Sequence, residues 1–186
     1  MDDESRINVK LSFREGVRRA AFKIVGMHCA TCSLTVQRAL LSVPGVLGAD
    51  VSLANDEAVV VLDPGKVKYI DLLKAVEKAG YDIYREEAVV GVKGLSPGDE
   101  VLILNALSMP GVFDVRVNLA YSEVRVTYNP LELNESAIVK AIEDLGLKVT
   151  YVKAGASGFD VDKRSSEADL RDLRNRLLVS APLTSV

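Results

Sequence analysis

Residues 72–80, LLKAVEKAG, recur 66 positions later as residues 138–146, IVKAIEDLG. Two further pairs of landmarks have the same spacing and the same order. They are Pro44-Gly45-Val46 with Pro110-Gly111-Val112, and Asp63-Pro64 with Asn129-Pro130. Similarity at a fixed period is typical of a repeated structural unit. The sequence therefore predicts two similar units in tandem.

The apolar pattern gives both units the same order of strands and helices. In the first unit we predict strands over 21–25, 46–53, 58–62 and 81–85, and helices over 31–43 and 69–79. In the second we predict strands over 88–93, 112–119, 123–128 and 147–152, and helices over 98–109 and 135–145. The order βαββαβ is the ferredoxin-like arrangement, an antiparallel sheet with two helices on one face. The predicted fold class is α+β, with Glu86-Glu87 alone separating the two domains.

The remaining segments have patterns of their own. Ile7, Val9, Leu11 and Phe13 alternate with polar residues and suggest an extra strand in an N-terminal extension over 1–19. The domains then cover 20–87 and 88–153, and a Gly- and Ser-containing linker covers 154–165. Beyond it, a stripe formed by Leu170, Leu173, Leu177 and Leu178 predicts an amphipathic helix over 166–186.

Composition limits the classes of function. Of 186 residues 48% are hydrophobic and 26% charged, which indicates folded structure, and the net charge of −3 disfavours nucleic acid as a partner. The N-terminus, Met1-Asp2-Asp3-Glu4, does not resemble a signal peptide, and no apolar run approaches the roughly 18 residues of a membrane span. We therefore expect a cytoplasmic protein, in which a stable structural disulfide is not expected.

Cys29 and Cys32 are the only two cysteines of the chain. The predicted elements place Cys29 in the loop after the first strand and Cys32 in the first helical turn. Backbone N–H groups at a helix start favour negative charge, so both side chains are suited to be thiolates. Two thiolates suit a soft ion such as Cu(I), whereas zinc normally takes four ligands. A thiol–disulfide redox pair is the alternative use of the same residues.

The motif Gly26-Met27-His28-Cys29-Ala30-Thr31-Cys32 within a βαββαβ unit resembles the heavy-metal-associated domain of copper chaperones and copper-transporting P-type ATPases. The resemblance covers about residues 20–152. It implies that Cys29 and Cys32 bind Cu(I), with Ag(I) compatible and Zn(II) less suited, and that Met27 packs inward. His28 occupies a position that varies within the family. A histidine there favours copper, or else it is an exposed loop residue with no bond to the metal. Tyr81 is similar to a residue near the metal, or it closes the end of the core.

The second unit has no cysteine in the corresponding loop, which reads Gly94-Leu95-Ser96-Pro97-Gly98-Asp99-Glu100. Ser96, Pro97 and Asp99 predict a helix start with a capping box. We interpret this unit as a degenerate domain retained for contacts. Surplus apolar residues on the first helix of each unit either join the two units, hold the C-terminal helix, or are scattered surface residues. They are Leu34, Leu41, Leu102 and Leu104.

These observations predict a protein that binds one Cu(I) and passes it on by thiolate exchange, in copper delivery or in regulation of a copper-exporting ATPase. Its expected partner is a copper chaperone or a copper ATPase, and it is expected as a monomer or as a copper-bridged dimer. It lacks the membrane and phosphorylation parts of such a pump, so we do not expect an enzyme. The tail resembles the segment leading into the first membrane helix of copper ATPases. The chain could therefore also be an interaction fragment of a split or truncated pump, with peripheral contact to a membrane ATPase.

Overall fold

A computed structural model describes residues 16–157 and confirms two βαββαβ repeats in tandem. The first repeat consists of β1 (Arg18–Val25), α1 (Ala30–Leu41), β2 (Val46–Ser52), β3 (Glu57–Leu62), α2 (Tyr69–Lys78) and β4 (Asp82–Ile83). The second consists of β5 (Arg85–Lys93), α3 (Asp99–Ala106), β6 (Val112–Asn118), β7 (Glu123–Tyr128), α4 (Glu135–Glu143) and β8 (Lys148–Ser157). The extra strand predicted around Ile7 and the helix predicted over 166–186 lie outside the described residues.

Each repeat forms one four-stranded sheet, with strand order β2-β3-β1-β4 in the first and β6-β7-β5-β8 in the second. In β1 every second residue, Ala20, Phe22 and Ile24, is buried, because alternate side chains of a strand point to the same face. Residues of α1 and α2 complete the same core. Both repeats lie within one compact unit that ends at Gly155. A second unit begins at Ala156, of which only the two last residues of β8 are described.

One predicted linker, and the described start of a second, are strands in the structure. Glu86 and Glu87 lie inside β5 and pair with Tyr128 and Thr127 of β7, so Tyr84 alone separates β4 from β5. Likewise, β8 extends to Ser157, although the linker was predicted to begin at 154. At Glu86 and Glu87 pairing with a neighbouring strand overrides a local composition that favours a loop.

Of the alternatives left open for Leu34, Leu41, Leu102 and Leu104, burial between the two repeats is not what the structure shows. Their exposed fractions lie between 40% for Leu104 and 52% for Leu102. The core of the first repeat is instead completed by Phe113, a residue of the second. Surface leucines of this kind are common in folded proteins.

Gly45 is required by the tight turn between α1 and β2. Its φ is +98°, and a Cβ atom there would lie 2.7 Å from Cγ2 of Val67. Gly80 has a similar φ of +89° but open space around it. We expect Gly45→Ala to lower the free energy of unfolding by about 1–3 kcal/mol more than Gly80→Ala, because only the first also overpacks the core. Urea unfolding of both variants measures the difference, and equal losses would contradict it.

Candidate metal centre

The two cysteines lie where β1 turns into α1. Gly26 makes the turn with a φ of +94°, and Cys29 is the residue immediately before the helix, in an extended conformation. The N–H of Cys32 donates to the carbonyl of Cys29 at 2.9 Å, which closes the first turn. The sequence prediction that one cysteine precedes the helix and the other lies in its first turn is therefore confirmed.

Burial divides the motif into an inner and an outer half. Met27 is 5% exposed and belongs to the core, as the resemblance implied. Cys32 is half-buried against the same core, whereas Cys29 and His28 are exposed. The buried side chain of Met27 thus attaches the loop to the core, while Cys29 faces solvent.

The structure joins Cys29 and Cys32 in a disulfide, which differs from our expectation that no such bond would be stable. The two Cα atoms are 5.2 Å apart, within the usual range for a disulfide. The reason is local geometry: one helical turn brings both sulfurs to the same side of the loop. The expectation rested on the redox state of the compartment, which the backbone does not encode. The same short separation also allows a reduced pair to share one ion.

The local field favours negatively charged sulfur. The first N–H groups of a helix lack partners within the helix and carry a partial positive charge. No acidic residue lies in the first turn of α1 to oppose that charge. The reduced pair therefore has a local environment that stabilises thiolates.

Tyr81 lies beside the cysteine loop. It is half-buried against the core of the first repeat, and a Cβ atom on Gly26 would lie 3.8 Å from its Cδ1. Tyr81 therefore packs at the end of the core, as one predicted role requires, and it also lies next to the cysteine loop; its predicted nearness to a metal stays a prediction.

The corresponding loop of the second repeat starts a helix without sulfur. The carboxylate of Asp99 accepts hydrogen bonds from the backbone N–H of Ser96, at 2.9 Å, and from its hydroxyl, at 2.6 Å. These bonds lower the pKa of Asp99. The predicted capping box is only half formed, because the hydroxyl of Ser96 donates to Asp99 instead of accepting from the helix. Helix α3 begins at Asp99, one residue after its predicted start.

Within residues 16–157 no group of three or more His, Cys, Asp or Glu side chains is arranged to hold a metal ion. In the same range no helix is long and apolar enough to cross a membrane. A cleft of about 380 Å³ lies between the repeats, among residues that include Tyr69, Leu104 and Phe113, and it does not include the cysteines. The thiol pair is therefore a surface site.

Comparison with known proteins places this loop in a family. The heavy-metal-associated domain model matches residues 21–82, the first repeat. The solution structure of the N-terminal soluble domains of Bacillus subtilis CopA is 31% identical with a TM-score of 0.53, and the match covers 74% of this chain and 94% of that one. The chain belongs to the heavy-metal-associated domain family. The share matched in CopA is too large for one repeat, so the thiol-free repeat is included in the relationship.

Several longer proteins that are similar to this heavy-metal-associated protein are named as copper-transporting or copper-exporting ATPases. Copper-transporting ATPase RAN1 of Arabidopsis thaliana is 35% identical over 150 residues, 75% of this chain and 15% of that protein. The copper-exporting P-type ATPase of Bacillus subtilis (strain 168) is 29% identical over 169 residues, 90% of this chain and 21% of that protein. The chain thus spans between 15% and 21% of the length of these relatives.

Proposed function

We propose that the protein binds one Cu(I) ion through Cys29 and Cys32 and passes it to another protein by thiolate exchange. The observation that carries this proposal is the pair of cysteines at the solvent-facing start of α1, on a heavy-metal-associated domain. The names of the relatives, which are copper-transporting and copper-exporting ATPases, favour copper among the heavy metals.

The ligand chemistry is consistent with a monovalent soft ion. Two thiolates satisfy Cu(I) or Ag(I), whereas a structural zinc site has four ligands. A Cu(I) ion held by two sulfurs at the surface also stays open to attack by a third. Such a site is better suited to transfer than to storage.

The different burial of the two cysteines gives the exchange an order. The partner's thiolate donates an electron pair to Cu(I), which becomes three-coordinate. The bond to Cys29 then breaks first, because that exposed side chain is free to turn away, whereas Cys32 is held against the core. The second thiolate of the partner then displaces Cys32 in the same way, which completes the transfer. Copper stays monovalent throughout, and each released thiolate is free to take a proton from water.

The proposed partners follow from the same chemistry. A copper chaperone or a copper ATPase with an exposed pair of thiolates could be donor or acceptor, in copper delivery or in regulation of a copper-exporting pump. We propose a cytoplasmic location, where thiols are kept reduced. A second copy of this chain could share the ion, which would give a copper-bridged dimer.

The disulfide favours a second candidate function, a thiol–disulfide redox protein. Cys29 would be the attacking thiolate, because it is the exposed member of the pair. The two candidates differ in what the reduced protein binds. They also differ in whether the reduction potential of the pair is that of an oxidant.

One titration tests the proposed function. Anaerobic competition with a chromophoric Cu(I) chelator should give one tight site per chain for the reduced protein and none for the disulfide form, whose sulfurs are no longer thiolates. Adding reductant to the oxidised sample should restore the site. A reduced protein without tight copper binding, together with an oxidising reduction potential, would establish the redox candidate instead.

A further inference from the structure

The second repeat inserts an aromatic side chain into the core of the first. Phe113 lies at a register shift of β6, where the pairing with β7 passes from Val112 directly to Asp114. A bulge of this kind re-aims a side chain. The ring of Phe113 is 5% exposed and lies 6.2 Å from that of Phe22 and 5.9 Å from that of Tyr69, between ring centroids. These separations are typical of favourable aromatic pairs.

Polar contacts surround this aromatic cluster. Asn129, which is fully buried, donates from Nδ2 to the carbonyl of Ala21 in β1 at 2.7 Å. Glu132 accepts a hydrogen bond from the hydroxyl of Tyr69 and lies 3.8 Å from the guanidinium of Arg18. Burial, and next the neighbouring Glu132, raise the pKa of Tyr69, so its hydroxyl remains a donor. An apolar centre with polar contacts around it is the usual anatomy of a specific interface, although Nε of Arg18 is buried here without a hydrogen-bond partner.

The equivalent positions of the first repeat share the bulge but make none of these contacts. Sixty-six positions before Phe113, Asn129 and Glu132 stand Leu47, Asp63 and Lys66. Leu47 lies at the matching bulge of β2 and is 44% exposed. Asp63 and Lys66 pair with each other at 3.2 Å. The contacts therefore arise from three particular residues of the second repeat, and not from the fold that both repeats share.

This interface lies at the end of the first repeat that is remote from the cysteines. Ala21 and Gly26 are five residues apart in β1 and its turn, which corresponds to about 16 Å of extended strand. Helix α2 spans the same distance. Its first residue, Tyr69, is in the interface, and beyond its last residue Tyr81 lies beside the cysteine loop, where a Cβ atom on Gly26 would be 3.8 Å from Cδ1 of Tyr81. The second repeat thus leaves the loop uncovered.

We propose that the thiol-free second repeat is a permanent docking partner of the metal-binding repeat, locked to it by Phe113, Asn129 and Glu132. It completes the core of the first repeat and fixes the direction in which the cysteine loop faces. An exchange partner can then approach only the opposite, open end. This role does not depend on which metal the cysteines bind.

The test uses the full chain and measures whether the two repeats tumble together. Backbone ¹⁵N NMR relaxation should give one rotational correlation time for both repeats in the wild type. Asn129→Asp keeps the shape of the side chain but replaces the group that donates to Ala21 by a carboxylate. In this variant each repeat should have its own, shorter rotational correlation time. Asp63→Asn, the matched change in the first repeat, should leave the common time unchanged. The one-site Cu(I) titration should be unaffected in both.

A milder pair of variants covers the case in which Asn129→Asp does not fold. Tyr69→Phe removes the hydroxyl that donates to Glu132 across the interface, whereas Tyr128→Phe removes one that donates to Glu86 within the second repeat. Only the first should shorten the correlation times. Separate times in the wild type would overturn the proposal, and so would a common time that neither Asn129→Asp nor Tyr69→Phe changes.

Discussion

Replacing both thiols, Cys29→Ser with Cys32→Ser, is expected to abolish tight Cu(I) binding while the fold stays intact. Serine hydroxyls are harder and are not deprotonated at neutral pH, so neither replaces a thiolate. The loss should exceed by far the roughly 10- to 100-fold that removal of an outer partner costs at a metal site. Competition with a chromophoric chelator measures the affinity, and far-UV circular dichroism measures the fold.

The single variants and a neighbouring residue provide the controls. Each single serine variant should keep one sulfur ligand and bind far more weakly than the wild type. His28→Ala should bind as tightly as the wild type, because His28 is an exposed loop residue and the proposed site uses only the two sulfurs. A double variant that still binds one Cu(I) tightly would refute the assignment of the site to this loop.

Phe113→Ala is expected to lower the free energy of unfolding by about 3–5 kcal/mol, the usual cost of truncating a buried Phe. Although Phe113 belongs to the second repeat, its ring lies in the core of the first, beside Phe22 and Tyr69. The first repeat should therefore lose protection more than the second. Urea unfolding gives the total loss, and amide hydrogen exchange locates it.

Two variants test whether that effect belongs to the interface. Leu47→Ala changes the equivalent bulge residue of the first repeat, and Tyr121→Ala removes an aromatic ring that is 75% exposed. Both should change the free energy of unfolding by no more than about 0.5 kcal/mol, as is usual for surface positions. If Leu47→Ala lowered the free energy of unfolding as much as Phe113→Ala, the loss would come from the bulge itself and not from the docking of the two repeats.

Much of the fold could be predicted because its signals are local. The 66-residue period, the glycines after each helix and the alternation in each strand depend on neighbours a few residues away. The position of Cys29 at the helix start could be predicted for the same reason. Element ends were predicted less well, as with Glu86-Glu87, because strand pairing with distant residues decides them.

The interface residues were missed although a signal was present. The exchange of Asp63 for Asn129 between the repeats was visible, and an amide has a donor where a carboxylate has none. The sequence does not indicate which group accepts the hydrogen bond of Asn129, because the acceptor, the carbonyl of Ala21, lies 108 positions away. The residues considered for the contact between the repeats were instead leucines on the helices, because a sequence shows which residues are hydrophobic and does not show which are buried.

The sequence alone therefore determined the repeated fold, the family and the location of the thiol pair, since periodicity and a seven-residue motif specify them locally. Tertiary structure decided how the repeats are joined, which cysteine faces solvent and which end of the first repeat stays open. Leu47 and Phe113 occupy the same position of the same fold, yet one is exposed and the other completes a core. The difference depends on which surface lies opposite, and only the folded chain brings that surface into place.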